Sequence, residues 1–456
     1  MTPAARVQAA IDLLDEVVLS ARDGGPAADT LIARYFKTRR YAGSKDRRAV
    51  RDLVYDAIRR AGERPESGRA AMLGLVQDQP EIAAFFDGSP HGPAAIGEGE
   101  AATPARAVPR GITPLLADLI DARERTALLE RAPLDVRVNT LKATLDLSGS
   151  EPILTPRSNP TNSHTLSPFA LSLSKGPAEP VEAPSLRSGE GFDKLSPNGE
   201  GDSANMGANQ QAASGSEITP IPHLPNALRL PEGYPLEKSE AWEQGLVEVQ
   251  DAGSQIIAVA CKAQPGMTVI DLCAGAGGKT LALAAAMDAQ GTLIAADTVR
   301  SRLQRLTPRA ERAGANFIQT VLLDQGREAT TLGSYEGRAD VVLVDAPCSG
   351  TGTWRRNPEA RWRLTPDRLT RLVAEQARIV DIAAPLVKNG GRLIYAVCAL
   401  TDREGRDQVD EFLARHPGWK VAPVDTAAGR TWGHGRLLTP HHDGTDGFFL
   451  AVLEKG

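Results

Sequence analysis

Two cysteines in two separate short motifs carry the chemistry to be expected of this chain. Cys348 lies in Asp345-Ala346-Pro347-Cys348-Ser349-Gly350-Thr351-Gly352, and Cys398 closes the run Arg392-Leu393-Ile394-Tyr395-Ala396-Val397-Cys398. Both follow apolar, strand-like segments. Both also lie downstream of a glycine-rich turn, Asp271-Leu272-Cys273-Ala274-Gly275-Ala276-Gly277-Gly278-Lys279-Thr280. A turn that lets backbone approach a nucleoside cofactor, followed by two thiols, points to covalent chemistry on an electron-poor ring. A cysteine taken alone is more often a small buried hydrophobe. Cys261, on an apolar helix face, is read that way, and so is Cys273 as far as thiol chemistry goes.

The elements around these motifs are those a cofactor site needs. A β-type run at 268–272 leads into the glycine turn, and an apolar helix follows at 281–287, giving the strand–loop–helix context. The next strand, 292–296, ends in Asp297, placed to accept hydrogen bonds from ribose hydroxyls. Val321-Leu322-Leu323 ends in Asp324, suited to an adenine edge, and the strand at 340–344 ends in Asp345. Strands that each end in an acid at one carboxyl edge, alternating with helices, predict an α/β fold with a doubly wound, largely parallel sheet.

Three cofactors compete for the turn. Gly278-Lys279-Thr280 matches the end of a P-loop, but the first glycine of that motif would fall at Cys273. The glycines at 275, 277 and 278 do not fit the GxGxxG spacing of an NAD site. S-adenosylmethionine carries no phosphate and needs only close backbone approach, so it is the favoured cofactor. Its contacts are expected from Cys273, Ala274, Gly275, Ala276, Gly277, Gly278, Lys279, Asp297, Asp324 and Asp345.

With 456 residues the chain has room for two or three domains. No window approaches the ~20 apolar residues of a membrane span. The acids Asp12, Asp15 and Glu16 in the first amphipathic stretch do not suit a signal peptide. Four cysteines without disulfide-framework spacing point to a reducing compartment, so a cytoplasmic protein is expected. The net charge of −5 hides a local basic cluster: ten Lys/Arg against three Asp between Arg34 and Arg60, an excess of seven. Such a cluster can neutralise phosphates, or can simply be a solvated helix face.

Residues 5–70 carry apolar residues at helical spacing, and 71–128 read as mostly helical around a Gly/Pro/Ala-rich stretch. Val136-Arg137-Val138-Asn139-Thr140-Leu141-Lys142 looks like a strand. From about 148 to 216 the chain is rich in Ser, Pro, Gly and Glu without periodicity, and a disordered insertion is expected there. One choice of codons for 192–200, read on the complementary strand in a shifted frame, gives Ser-Pro-Phe-Gly-Leu-Ser-Leu-Ser, close to Ser167–Ser174. The insertion is therefore read as a translated palindromic repeat, which the gene's nucleotide sequence would test. Long surface insertions cost little loop entropy.

These motifs together resemble the RNA (cytosine-5) methyltransferases of the RsmB/Sun family, over nearly the whole chain except the insertion and most strongly from 247 to 400. The glycine turn is similar to the family's CxAPGGKT, with Gly275-Ala276 where Ala-Pro is usual. Asp345–Gly352 and Cys398 match its two cysteine motifs, although Ala396, Val397 and Ala399 replace hydroxyl residues around the second. Tyr41–Arg48 with Asp52–Tyr55 resembles the N-terminal NusB-like RNA-binding domain, and 136–142 resembles the segment opening a small RNA-binding subdomain. Arg355-Arg356-Asn357-Pro358-Glu359-Ala360-Arg361-Trp362 is similar to the family's RRxPxxxW stretch.

The resemblance implies a Rossmann-like S-adenosylmethionine-dependent methyltransferase domain at 246–456. It also implies an all-α NusB-like domain at 1–130 and a small subdomain at 131–147 and 217–245, interrupted by the insertion at 148–216. C5 of cytosine is too weak a nucleophile to attack a methyl sulfonium unaided, and adding a thiolate to C6 makes it enamine-like. By resemblance Cys398 is that nucleophile and Cys348 assists release. DNA cytosine methyltransferases use the Pro-Cys thiol as nucleophile instead, so residue chemistry alone leaves the division open. Asp345 would contact the base or the methionine end of the cofactor, with Lys279 supporting the pocket.

The implied substrate is a cytosine in RNA, 16S rRNA or a small-subunit precursor, with no membrane or DNA partner and a monomeric chain. RNA contacts are expected from Lys45, Arg47 and Arg48 and from Arg355, Arg356 and Arg361, the latter three as phosphate ligands beside a stacking Trp362. The same arginine stretch could instead be a charged loop capping a helix. Two rivals remain. One is an RNA-binding factor that has lost catalysis, motivated by Ala396, Val397 and Ala399, and predicting binding without turnover. The other is an NAD or P-loop enzyme, separable by cofactor-binding assays. The histidines at 434, 441 and 442 fit no metal spacing.

Overall fold

The computed structural model describes residues 1–149, 152–157, 169–170 and 217–456, which fall into two compact units. The first comprises Met1–Arg131 together with Gly350–Leu369. Its helices are α1 (Pro3–Asp23), α2 (Ala28–Thr38), α3 (Ser44–Arg60), α4 (Gly68–Asp78) and the short α5 (Ala122–Ala127). Thr2 caps α1 by accepting the Ala5 N–H, and Gly24 ends it in the left-handed region at φ 73°. Leu13, Leu14 and Val17 of α1 pack with Val50, Val54 and Ile58 of α3 and Met72 of α4. Close crossing of α1 and α4 depends on Gly68, where a Cβ would come within 2.2 Å of the Ile11 carbonyl.

Gly350–Leu369 packs within this helical unit, although it lies inside the 246–456 span expected from sequence for the catalytic domain. Trp362 lies in the helical core and donates from Nε1 to the Ala61 carbonyl at 2.7 Å.

The second unit holds the described residues between Ala132 and Ser349, with Thr370–Gly456. Its first strands are β1 (Leu134–Val138), β2 (Ala143–Asp146), β3 (Ile153–Pro156), β4 (Phe169–Ala170), β5 (Thr219–Pro220), β6 (Ala227–Leu230) and β7 (Val247–Val249). They form a four-stranded sheet in the order β5-β6-β1-β7 and a second sheet, β2-β3-β4. Ordered structure thus continues past residue 148. Leu154 of β3 is fully buried opposite Leu145 in an antiparallel ladder, so the expected insertion boundary is too early by at least this strand. The proposed palindromic segments, apart from 169–170, lie outside the described residues. The turn 139–142 leads from β1 into β2, and Asn139 ties it down by donating to the carbonyls of Gly245 and Ala313.

The main sheet contains β8 (Thr268–Asp271), β9 (Thr292–Asp297), β10 (Gln319–Leu322), β11 (Ala339–Asp345), β12 (Val387–Val397), β13 (Trp419–Ala422), β14 (Arg430–Trp432), β15 (Gly435–Leu438) and β16 (Phe448–Lys455). Its order is β10-β9-β8-β11-β12-β16-β15-β14, with β13 also pairing β16. From β10 to β12 every pairing is parallel, whereas β12–β16, β16–β15 and β15–β14 are antiparallel. The sheet is therefore mixed, a Rossmann-like parallel half extended by an antiparallel edge. After α6 (Glu240–Glu243), the helices α7 (Ala252–Ala260), α8 (Gly278–Ala286), α9 (Arg300–Ala313), α10 (Glu328–Leu332), α11 (Pro366–Ala383) and α12 (Arg406–Arg415) complete the described connections used below. Buried Val269, Leu283, Leu293, Leu343, Ile394 and Leu450 join sheet and helices in one core. The chain runs from β8 outward to β10 and then returns to β11 on the other side of β8. That reversal opens a crevice at the carboxyl ends of β8 and β11, where ligands bind in open α/β sheets. Among the described residues no helix is long and apolar enough to cross a membrane.

Candidate active site

The glycine loop occupies this crevice. Its path is fixed by backbone bonds from Leu272 N–H to the Leu343 carbonyl at 2.9 Å and from Ala274 N–H to the Ala296 carbonyl at 3.0 Å. Gly275 (φ 57°) and Gly277 (φ 87°) adopt left-handed conformations that side chains disfavour. At Gly277 a Cβ would also drive into buried Leu306 of α9. A Cβ at Gly275 or Gly278 would meet nothing within 4 Å, so the loop presents open backbone on that side. Arg309 of α9 donates to the Ala276 carbonyl at 2.7 Å and pairs with buried Glu248, which also holds Arg312. This clamp was not legible in the sequence, because its partners lie more than 30 residues apart on separate elements.

Two carboxylates shape the cradle. Asp297, at the end of β9, accepts from Gly275 N–H at 2.9 Å and Val299 N–H at 2.7 Å, which aims it across the loop. Asp324 follows β10 and is exposed at the same sheet edge. Asp271 is buried beneath the loop, where it accepts from Thr280 Oγ1 at 2.6 Å while its Oδ1 has no partner. Burial, added to by the nearby Asp345 charge, pushes its pKa up to about 7, despite the opposing Thr280 bond. The folded state therefore holds a proton that the unfolded chain releases near pH 4. The stabilisation is fully present below that value and is lost as pH rises through about 7. Asp271→Asn is accordingly expected to flatten the fall in melting temperature between pH 5 and 8; an unchanged slope would show that another group titrates.

The set suits a nucleoside cofactor without phosphates: open glycine backbone, one acid aimed across it and one exposed beside it. Cys273 is in the loop, and burial holds its thiol well above the ordinary range, so it fits a contact role and not a nucleophile's.

At the ends of β11 and β12 the two candidate thiols meet. Cys348 Sγ and Cys398 Sγ are 3.2 Å apart, with one sulfur donating to the other. Neither is fully buried. Lys279 Nζ, nearly buried, donates to Asp345 Oδ2 at 2.7 Å. Burial would lower the Lys279 pKa, but Asp345, through charge and hydrogen bond, and Cys398 outweigh it and leave it raised. The site is therefore a charged pair, two sulfurs and a glycine cradle at one sheet edge. Ala396, Val397 and Ala399 are all fully buried, so the departures from the hydroxyl pattern are packing positions.

Most of the arginine stretch is committed to contacts within the helical unit. Arg361 is 1% exposed, and its guanidinium donates to the carbonyls of Ile58, of Arg59 at 2.7 Å and of Ala107 at 2.7 Å. It caps the carboxyl end of α3, and Glu359 accepts from Ala28 N–H at the amino end of α2. Arg361 and Trp362 are thus structural, which corrects the expectation of phosphate contact and stacking. Arg355 is buried as well, whereas Arg356 is half-buried. Lys45, Arg47 and Arg48 are exposed on α3.

Residues 258–454 match the family model described as 16S rRNA methyltransferase RsmB/F. This stretch is similar to RsmB/F methyltransferase domains. Curated relatives agree: a probable ribosomal RNA small subunit methyltransferase B from Synechocystis is 36% identical over 52% of this chain and 54% of its own length. A probable homologue of the same name from Bacillus subtilis is 31% identical over 54% and 56%. The chain spans about half the length of the curated relatives it matches. Among solved structures, PH0851 superposes with a TM-score of 0.66 at 21% identity, over 98% of this chain and 99% of that one. NSun6 from Pyrococcus horikoshii, solved with SFG, gives 0.51 at 20% identity over 76% and 98%. At these identities the structures establish the fold alone.

Proposed function

We infer that this protein transfers a methyl group from S-adenosylmethionine to C5 of a cytosine in RNA, with small-subunit rRNA as the substrate. The observation that carries the reading is the pair of thiols 3.2 Å apart beside the Lys279–Asp345 pair, within a stretch similar to RsmB/F domains. The cofactor supplies an electrophilic methyl group, cradled by Cys273–Lys279 with Asp297 on the ribose and Asp324 at the adenine edge. Cys398 adds as thiolate to C6, and the resulting enamine-like C5 takes the methyl. Cys348, deprotonated for this step, accepts the C5 proton as a thiolate while the C6–sulfur bond breaks and Cys398 leaves as thiolate, which restores the ring and frees the enzyme. Asp345, held by Lys279, faces the base. The helical unit acts as a NusB-like RNA-binding domain through exposed Lys45, Arg47 and Arg48, with a single-stranded target making extrusion of the base cheap.

Incubating the monomeric chain with unmethylated small-subunit rRNA and methyl-labelled cofactor, then digesting to nucleosides, tests this. The label should appear in 5-methylcytidine. Label in another nucleoside, or cofactor and RNA binding without transfer, would overturn the reading, the second outcome in favour of a non-catalytic binder.

A further inference from the structure

Glu404 lies in neither cysteine motif, yet it touches both, through its carboxylate at Ser349 and its backbone carbonyl at Tyr395. It is fully buried, and its carboxylate accepts four hydrogen bonds. Ser349 donates twice, from N–H at 2.7 Å to Oε1 and from Oγ at 2.6 Å to Oε2. Thr401 Oγ1 donates to Oε2 at 2.9 Å, and Gln376 Nε2 to Oε1 at 3.1 Å. The same Gln376 amide, on α11, donates to the Pro347 carbonyl at 3.0 Å. The Tyr395 hydroxyl donates to the Glu404 carbonyl at 2.7 Å. The residues on either side of Cys348 are thus held by one buried carboxylate and its amide partner; that carboxylate is in turn bonded to Thr401, three residues after Cys398, while Tyr395 before Cys398 holds the Glu404 backbone.

The two thiols differ in what else positions them. Cys398 directly follows β12, whose last residue, Val397, is still in register with Phe449 of β16. The sheet therefore sets its place. The last ladder contact before Cys348 is Ala346 N–H to the Ala396 carbonyl, and Pro347-Cys348-Ser349 beyond it is loop. Fixing such a loop requires acceptors for its donors, and a buried carboxylate supplies several at once without a donor of its own.

We propose that Glu404 is a positioning residue for the release step, holding Cys348 at the adduct formed by Cys398; this rests on the two-thiol reading above. Removing the carboxylate leaves Cys398 on its strand and lets the Cys348 loop drift. Attack continues and release slows, so Glu404→Ala reproduces the behaviour of Cys348→Ala. A glutamine can refill the position. Its Oε1 accepts from Ser349 N–H and Gln376, and its amide donates to the Ser349 and Thr401 hydroxyls, which turn to accept.

The test uses the full chain with S-adenosylmethionine and an rRNA transcript, comparing Glu404→Ala, Glu404→Gln and Cys348→Ala. Displacement of a reacting group by about 1 Å costs on the order of 10²-fold in rate. Glu404→Ala should lose that much in kcat with KM for the cofactor unchanged, and should accumulate RNA-linked protein on a denaturing gel. Glu404→Gln should restore turnover and clear the band. Turnover like wild type, or loss of turnover with no band while Cys348→Ala gives one, overturns the role of Glu404. If Cys348→Ala itself gives no band, the two-thiol reading fails and the proposal falls with it. Should Glu404→Ala fail to bind cofactor, Gln376→Ala decides by the same band, its presence supporting the proposal and its absence overturning it.

Discussion

Replacing Cys398 with alanine is expected to reduce methyl transfer to RNA by roughly 10⁴–10⁶-fold in kcat, the scale seen when a catalytic nucleophile is removed. Cofactor binding should survive, because the glycine cradle is built from β8, α8 and α9 and involves no bond to this thiol. The reason for so large an effect is chemical: without a thiolate at C6, C5 does not become enamine-like, and in the proposed mechanism Cys348, 3.2 Å away, is committed to release. Lys279 and Asp345 are spent on each other at 2.7 Å, and the Cys261 and Cys273 thiols are both pushed up by burial, away from the thiolate form. Steady-state transfer assays paired with equilibrium cofactor binding check the prediction. Retention of more than a small fraction of activity would remove Cys398 from the nucleophile role.

Arg361→Ala is expected to destabilise the helical unit by about 2–4 kcal/mol, since leaving a buried acceptor unsatisfied costs about 1–3 kcal/mol. The guanidinium serves three carbonyls in an almost dry setting, and burial already draws its pKa down to about 9. Alanine would leave those carbonyls unsatisfied and a hole beside Trp362. Urea unfolding measures the loss. The salt dependence of RNA affinity should stay as in wild type, since a buried arginine releases no counterion. Lys45→Ala and Arg48→Ala should do the opposite, leaving stability intact and lowering the salt slope by about 0.7 each for single-stranded RNA. Normal stability with a reduced salt slope in Arg361→Ala would return that residue to the RNA interface.

Arg361 also marks where sequence reading stops. The strand-then-acid pattern at Asp271, Asp297 and Asp345, and the glycine turn between β8 and α8, were legible because each is local: a short apolar run, a turn and an acid within a few residues. The parallel half of the sheet follows from their alternation with helices. The antiparallel edge does not: β14 and β15 are runs of three and four residues, and the pairing of the apolar β16 depends on tertiary placement. The role of Arg361 was misread for a related reason. Thirteen residues separate it from Cys348 in sequence, but its partners, Ile58, Arg59 and Ala107, are more than 250 residues away. Glu404 and the Arg309–Glu248 clamp carry no motif, because a buried hydrogen-bond hub is defined by what surrounds it. The strand Ile153–Pro156 escaped notice inside a Ser/Pro-rich stretch, where four residues are too few to establish periodicity.

The most direct test of the account is a denaturing gel of Cys348→Ala and Cys398→Ala, each incubated with unmethylated small-subunit rRNA and S-adenosylmethionine. An RNA-linked band with Cys348→Ala and none with Cys398→Ala is the predicted result, because attack by Cys398 then proceeds and release stalls. A band with Cys398→Ala alone would exchange the roles of the two thiols. No band from either, with no methyl transfer by wild type, would contradict covalent cytosine methylation by this chain.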